Sequence, residues 1–180
     1  FRRKYPEAIV VSGASDIALR QTKKHEFLSE IIDLSAIVEL NYFREDGQNY
    51  IIGSGLTLEQ LKLHSFGKLP AMNKILGVFG SLQIRNLATI GGNIGSASPI
   101  GDLLPLLIAY KAHIRLQSES SERNVWIEEF IKGYRLTDTR STELITAILI
   151  PKPGPTNLIR SYKVSKRKDL DISTVSGGFS

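Results

Sequence analysis

The sequence predicts an α+β domain, and three observations predict it. Short β-branched runs and longer apolar strands are mixed with helical patterns, without the regular strand–helix–strand alternation of a doubly wound sheet. One stretch, "NYFREDGQNYIIGS", reads as a hairpin turned at Asp46-Gly47. The composition is that of a globular domain: 180 residues, 42% hydrophobic and 23% charged, enough chain for one or two domains with a real core.

The elements follow in order. The opening residues from Phe1 read as helix-like. "AIVVSGASD" (8–16) is a strand that runs into a glycine turn, and "EIIDL" (30–34) is a second short strand. After the hairpin, Thr57 and Gln60 form a capping-box pair that opens a helix through His64. Pro70 to Phe79 reads as a helix ended near Gly80. Asp102 stands where it would cap an apolar helix through Tyr110. "AHIRLQS" (112–118) alternates apolar and polar residues as a half-buried strand does. "ELITAILIP" (143–151) is a further strand. Pro151, Pro153, Gly154 and Pro155 make a stiff linker, the best boundary in the chain. Beyond it, "NLIRSYKVS" and "DISTVSGGFS" are strands flanking a charged loop, 166–171.

Several function classes are excluded or disfavoured. There are no cysteines, so this chain supplies no thiolate metal site, disulfide or cysteine nucleophile. That usage suits a reducing, cytoplasmic setting. Net charge is +5, and the basic residues at 2–4, 23–24 and 163–168 form no long tract interleaved with aromatics, which argues against nucleic acid. No apolar run reaches the ~18 residues of a membrane span, and no signal peptide is visible. His25, His64 and His113 share no ligand spacing, so no metal site is expected. The chain opens without Met and closes in a strand, and reads as a piece of a longer polypeptide.

The informative stretch is "RNLATIGGNIGSASPIGDLLP" (85–105). From Ala88 to Gly101 its side chains stay small. Gly91-Gly92 would fit a tight turn between packed elements. Thr89, Asn93, Ser96 and Ser98 add neutral hydrogen-bonding groups, and bare glycine amides suit a pyrophosphate. The stretch is neither a Walker loop nor G-x-G-x-x-G. "SGASD" (12–16) has the same character. Two such loops in one domain point to a long diphosphate ligand held from both sides.

"RNLATIGGNIGSASPIGDLLPLLIAY" closely resembles the second flavin-binding loop of the molybdenum hydroxylase flavoprotein module, the FAD domain of xanthine dehydrogenases, aldehyde oxidases and carbon monoxide dehydrogenase medium subunits. "IVVSGASDIAL" resembles its first loop, and "SYKVSKRKDLDISTVSGG" the start of its C-terminal domain. The three matches fall in family order and span Ala8 to Gly178.

The resemblance implies a vanillyl-alcohol-oxidase (PCMH-type) fold of two α/β subdomains, about 1–56 and 57–155, with FAD between them. Residues 156–180 would begin a truncated C-terminal domain. Val10, Val11, Ser12, Gly13, Ala14, Ser15, Asp16 and Ile17 would wrap the pyrophosphate, met from the other side by Thr89, Ile90, Gly91, Gly92 and Asn93. Phe79 and Ile145 would lie near the isoalloxazine, though each is also a natural core residue. Asp102 would contact the adenosine portion, a role compatible with capping. Lys163 would stand near the flavin head, where a cation favours reduced flavin, or simply on a solvated face. Ala14 departs from the Gly or Asn usual there, and costs roughly 1–2 kcal/mol if its backbone is left-handed.

No catalytic residue is implied. The expected role is electron transfer from iron–sulfur clusters through FAD to NAD⁺ or another acceptor. Molybdopterin and 2Fe-2S clusters would sit on partner domains or subunits. The resemblance leaves open which hydroxylase is involved: xanthine, aldehyde, carbon monoxide or aromatic-CoA. Two rival readings are an enolpyruvyl-UDP-sugar reductase and a flavin-free structural subunit.

Overall fold

A computed structural model of the chain describes residues 2–167 and 170–180. Phe1, Lys168 and Asp169, the last two within the charged stretch 166–171, lie outside the described residues. Residues 2–7 form turns, not the helix expected at the chain's opening.

The first layer is a parallel pair, β1 (Ile9–Val11) and β2 (Ile31–Asp33), joined through the short helix α1 (Ala18–Thr22). The hairpin follows, β3 (Phe43–Glu45) and β4 (Asn49–Gly53). Its turn forms because Asp46 Oδ1 accepts from the Gln48 and Asn49 amides at 2.9 and 2.6 Å. Helix α2 (Leu58–Ser65) opens on the Thr57–Gln60 capping box.

Helix α3 (Pro70–Gly77) stops two residues short of Phe79, and the chain turns away through Gly80 at φ 49°. Two short helices follow, α4 (Leu82–Leu87), which the sequence did not predict, and α5 (Ile90–Gly95), where Gly91-Gly92 suggested a turn. Each is started by a hydroxyl: Ser81 accepts from the Ile84 amide, and Thr89 from the Gly92 amide. Then come α6 (Leu103–Ala109), β5 (His113–Gln117), β6 (Glu122–Trp126), α7 (Ile127–Phe130), the small pair β7 (Ile131–Gly133) and β8 (Leu136–Thr137), and β9 (Leu144–Pro151). Residues 152–159 carry neither helix nor strand. The hairpin β10 (Arg160–Val164) and β11 (Val175–Phe179) closes the described chain.

Five strands make the main antiparallel sheet, in the order β3-β4-β9-β5-β6. Its centre is β9, whose run "LITAILIP" is apolar enough to be paired on both edges and covered. One face carries Ile52, Ile114, Leu116, Ile148 and Ile150 into a core shared with Leu58, Leu61, Met72, Leu76, Leu103, Leu106 and Leu107. Most of these side chains are fully buried, and each contributes about 1.5–3 kcal/mol on leaving water.

The α2–α3–α6 layer is thereby fixed on the sheet. The β10–β11 hairpin docks on it in turn. The Ser161 hydroxyl donates to the Ala71 carbonyl at 2.9 Å, and a Cβ on Gly178 would stand 2.2 Å from the Pro105 carbonyl oxygen. Among the described residues no helix is long and apolar enough to cross a membrane.

A candidate dinucleotide cleft

The first loop begins where β1 ends at Val11. Ala14 has φ 57°, the left-handed conformation that a Cβ disfavours. Among the described residues, no backbone N–H from Ser12 to Ile17 donates to a protein acceptor. A run of amides around a left-handed residue forms a concave anion-binding nest. Gly13 lies on the chain that enters the second loop. A Cβ there would be 1.7 Å from the Leu87 carbonyl oxygen.

The second loop differs from expectation. Its amides are not bare. Ile90 donates to the Leu56 carbonyl at 3.0 Å, Gly91 to the Ser54 carbonyl at 2.9 Å, and Asn93 to the Thr89 carbonyl at 2.9 Å. Gly92 donates to Thr89 Oγ1 at 3.1 Å. The glycines serve close packing here: a Cβ on Gly91 would stand 2.6 Å from Ser54 Cβ. What remains unengaged is the Thr89 amide, which has no acceptor among the described residues, and a side-chain atom, Asn93 Oδ1, buried with no hydrogen-bond partner there.

Both loops line one cleft of about 1070 Å³, large enough for a dinucleotide. Val10, Val11, Ser12, Gly13, Ala14, Ser15, Asp16, Ile17, Phe79, Thr89, Gly91, Gly92, Asn93, Asp102, Ile145 and Lys163 all line it. Ile90 does not. Its side chain is fully buried in the core with Leu56, Leu58 and Ile94. A second cavity, about 1170 Å³, holds none of the cofactor-binding residues expected from the sequence.

The comparisons with known proteins bear on this cleft. Residues 1–153 match the model of the family described as the FAD binding domain in molybdopterin dehydrogenase. The chain belongs to that family. It is 30% identical over 189 residues to xanthine dehydrogenase 1 of Arabidopsis thaliana, covering 98% of this chain and 14% of that protein. It is 30% identical over 174 residues to the nicotinate dehydrogenase FAD-subunit of Eubacterium barkeri, covering 94% of this chain and 59% of that subunit.

Among solved structures, carbon monoxide dehydrogenase from Hydrogenophaga pseudoflava superposes with a TM-score of 0.88 at 24% identity, over 94% of this chain and 59% of that one. Reconstituted CO dehydrogenase from Oligotropha carboxidovorans gives 0.85 at 27% identity, over 94% and 59%. The fold is therefore that of the CO dehydrogenase FAD subunit. The chain spans about a seventh of the plant relative and about three-fifths of the bacterial subunit.

The residues present fit the cofactor of this FAD-binding family. An unspent amide nest suits a diphosphate, the buried Asn93 oxygen awaits a donor, and the absent side chain on Gly13 lets the loops close together. Phe79 is set by Arg85, whose Nη1 donates to the Phe79 carbonyl at 2.9 Å while its Nε pairs with Glu59 at 2.5 Å. The same contact holds the Glu59 carboxyl below its ordinary range. Phe79 packs on the core and also lines the cleft. Ile145 lies next to the register shift of β9 against β5, and its Cδ1 would be 3.4 Å from a Cβ on Gly95.

Asp102 stands at the N-cap position of α6, as expected, without a capping hydrogen bond. Its backbone is already helical and its side chain caps no amide. The carboxylate instead pairs with Lys163 Nζ at 2.9 Å and accepts from the Ser173 hydroxyl. Both charged side chains are almost fully buried, at 6% and 7% exposure. The resemblance assigned Asp102 and Lys163 to opposite ends of an extended FAD. The structure instead holds them together in one ion pair.

Sequence reasoning missed Arg135, Ser54, Arg85 and Ser173. Arg135 Nη1 and Nη2 donate to the two Asp16 oxygens at 2.8 and 3.1 Å. This fork holds the Asp16 carboxyl below its usual value and the guanidinium above its own. No local signal announces a partner 119 residues away. Among the described residues, no group of His, Cys, Asp or Glu could hold a metal ion.

Proposed function

We propose that this chain is the FAD module of a xanthine dehydrogenase-like molybdenum hydroxylase, receiving electrons from iron–sulfur clusters and passing them to NAD⁺ or another acceptor in the cytoplasm. The observation that carries the reading is the cleft itself, with the unspent amides of Ser12–Ile17 on one wall and Thr89–Asn93 on the other. FAD, when bound, supplies both one-electron and hydride chemistry. This chain's residues supply position and field: the nest takes the diphosphate, Phe79 and Ile145 give apolar surface, and the Lys163–Asp102 pair places one buried cation beside the ligand.

With no cysteine in the chain, the iron–sulfur clusters belong on another segment or subunit, and molybdopterin with them. The names of the relatives agree with that division, since a nicotinate dehydrogenase keeps its FAD on a separate subunit. In this reading residues 1–155 form the FAD-binding domain and 156–180 the first strands of the next.

The test is FAD titration of the purified chain, followed by anaerobic addition of NADH. Uptake of one flavin, seen as quenched flavin fluorescence and the two visible bands of oxidised flavin, then bleaching by NADH, is the expected result. A chain that stays colourless overturns the flavin role. Flavin that is bound but unbleached by NADH overturns the NAD⁺ assignment alone.

A further inference from the structure

Ala14 at φ 57° and Arg135 at φ 53° line the cleft with left-handed backbones, and Ala97 at φ 41° lies between two lining residues, Ser96 and Ser98. Each carries a strain that persists only where its surroundings enforce it. The three are linked. Ala14 lies in the first loop, two residues before Asp16. Asp16 takes the Arg135 guanidinium in a two-pronged pair. The Arg135 amide donates to the Ala97 carbonyl at 3.3 Å, just past the end of α5. Thr89–Asn93 lie at the start of that same helix.

Asp16 and Arg135 both line the cleft. Arg135 therefore ties the two ligand-facing loops together, through its side chain on one and its backbone on the other. It sits in the turn between β7 and β8, which is otherwise peripheral to the sheet.

We propose that Arg135 is a positioning residue for the cofactor's diphosphate, acting through Asp16 as a strap that holds the amide nest closed toward the Thr89–Asn93 side. A planar fork on a carboxylate fixes orientation as well as charge, and a lysine cannot reproduce it. The pair is half exposed, with side chains at 45% and 43%. Its expected worth is therefore that of a well-formed surface pair, roughly a two- to fivefold change in affinity. The strap rests on the FAD reading above.

The experiment measures FAD affinity and release rate for wild type, Arg135→Gln, Asp16→Asn, the double variant and Arg135→Lys, with circular dichroism checking the fold of each. The strap predicts that the two single variants release FAD faster by a similar factor, that the double variant is no worse than either, and that Arg135→Lys recovers only part of the loss. Equal release from all five proteins overturns the strap while leaving the flavin reading intact. Additive losses overturn it too, since they mean that Arg135 and Asp16 act on FAD separately. A wild-type protein that binds no FAD overturns both. Should Arg135→Gln fail to fold, the Asp16→Asn and Arg135→Lys release rates decide the matter by the same comparison.

Discussion

The Leu87 carbonyl oxygen fills the place where a side chain on Gly13 would begin, 1.7 Å from that Cβ position. Two loops some 75 residues apart in sequence thus meet at van der Waals contact, and the cleft exists because one residue lacks a side chain. Gly13→Ala forces the loops apart. We expect it to weaken FAD binding by about tenfold or more and to cost about 2–4 kcal/mol of stability, a clash that backbone atoms relieve poorly. Gly91→Ala meets Ser54 Cβ at 2.6 Å and should behave alike. FAD titration and urea unfolding check both, and wild-type affinity in Gly13→Ala would show that the loops need not touch.

Ala14 bears the opposite expectation. Its φ of 57° costs roughly 1–2 kcal/mol for a residue with a Cβ, while glycine there gives back part of that gain as unfolded-state entropy. Ala14→Gly should therefore raise stability by about 0.5–1 kcal/mol and tighten FAD binding slightly. Chemical denaturation of the apo protein measures the first effect. A loss of stability would mean that this turn is unstrained.

Much of this architecture is written locally, and the rest is not. The β9 strand is a continuous apolar run, the β3–β4 turn is an Asp-Gly, and α2 opens on a Thr-x-x-Gln pair; each signal sits within the element it specifies. The edge strand β6, "ERNVW", places only Arg123 and Val125 toward partial burial, so its polarity hides it. Helices α1, α4 and α5 have five or six residues, too short for propensity to hold them without packing. The cleft followed a similar division. Its small residues could be read from the sequence, but which amides stay unspent depends on Ser54 and Leu56, a full strand–helix junction away. Arg135 and Arg85 look like surface cations until the fold supplies Asp16, Glu59 and the Phe79 carbonyl.

The Asp102–Lys163 pair is buried on both sides. Removing one partner leaves an uncompensated charge, which costs about 3–5 kcal/mol. Asp102→Ala should lose that much in urea unfolding, and the double replacement Asp102→Leu with Lys163→Met much less. If Asp102→Ala were nearly neutral, the lysine would have another partner or reach solvent.

The acid limb of stability should report on Glu143. Its carboxylate is 2% exposed and accepts from Arg123 Nε and Nη2, each at 2.8 Å, and from the Arg140 amide at 2.9 Å. These donors hold its carboxyl below the ordinary value of 4.5. A lowered carboxyl favours the folded state fully above its unfolded value, and that contribution drains away as pH falls through the folded one. Asp16, Glu59 and Asp138 are shifted in the same direction, so the melting temperature should hold from neutrality down to about pH 4.5 and then fall. Glu143→Gln should melt lower than wild type at neutral pH, and its curve should converge on the wild-type curve in acid as the native carboxyl gains its proton. Thermal unfolding followed by circular dichroism across that range decides it, and two curves that stay parallel would mean that Glu143 contributes packing and no charge.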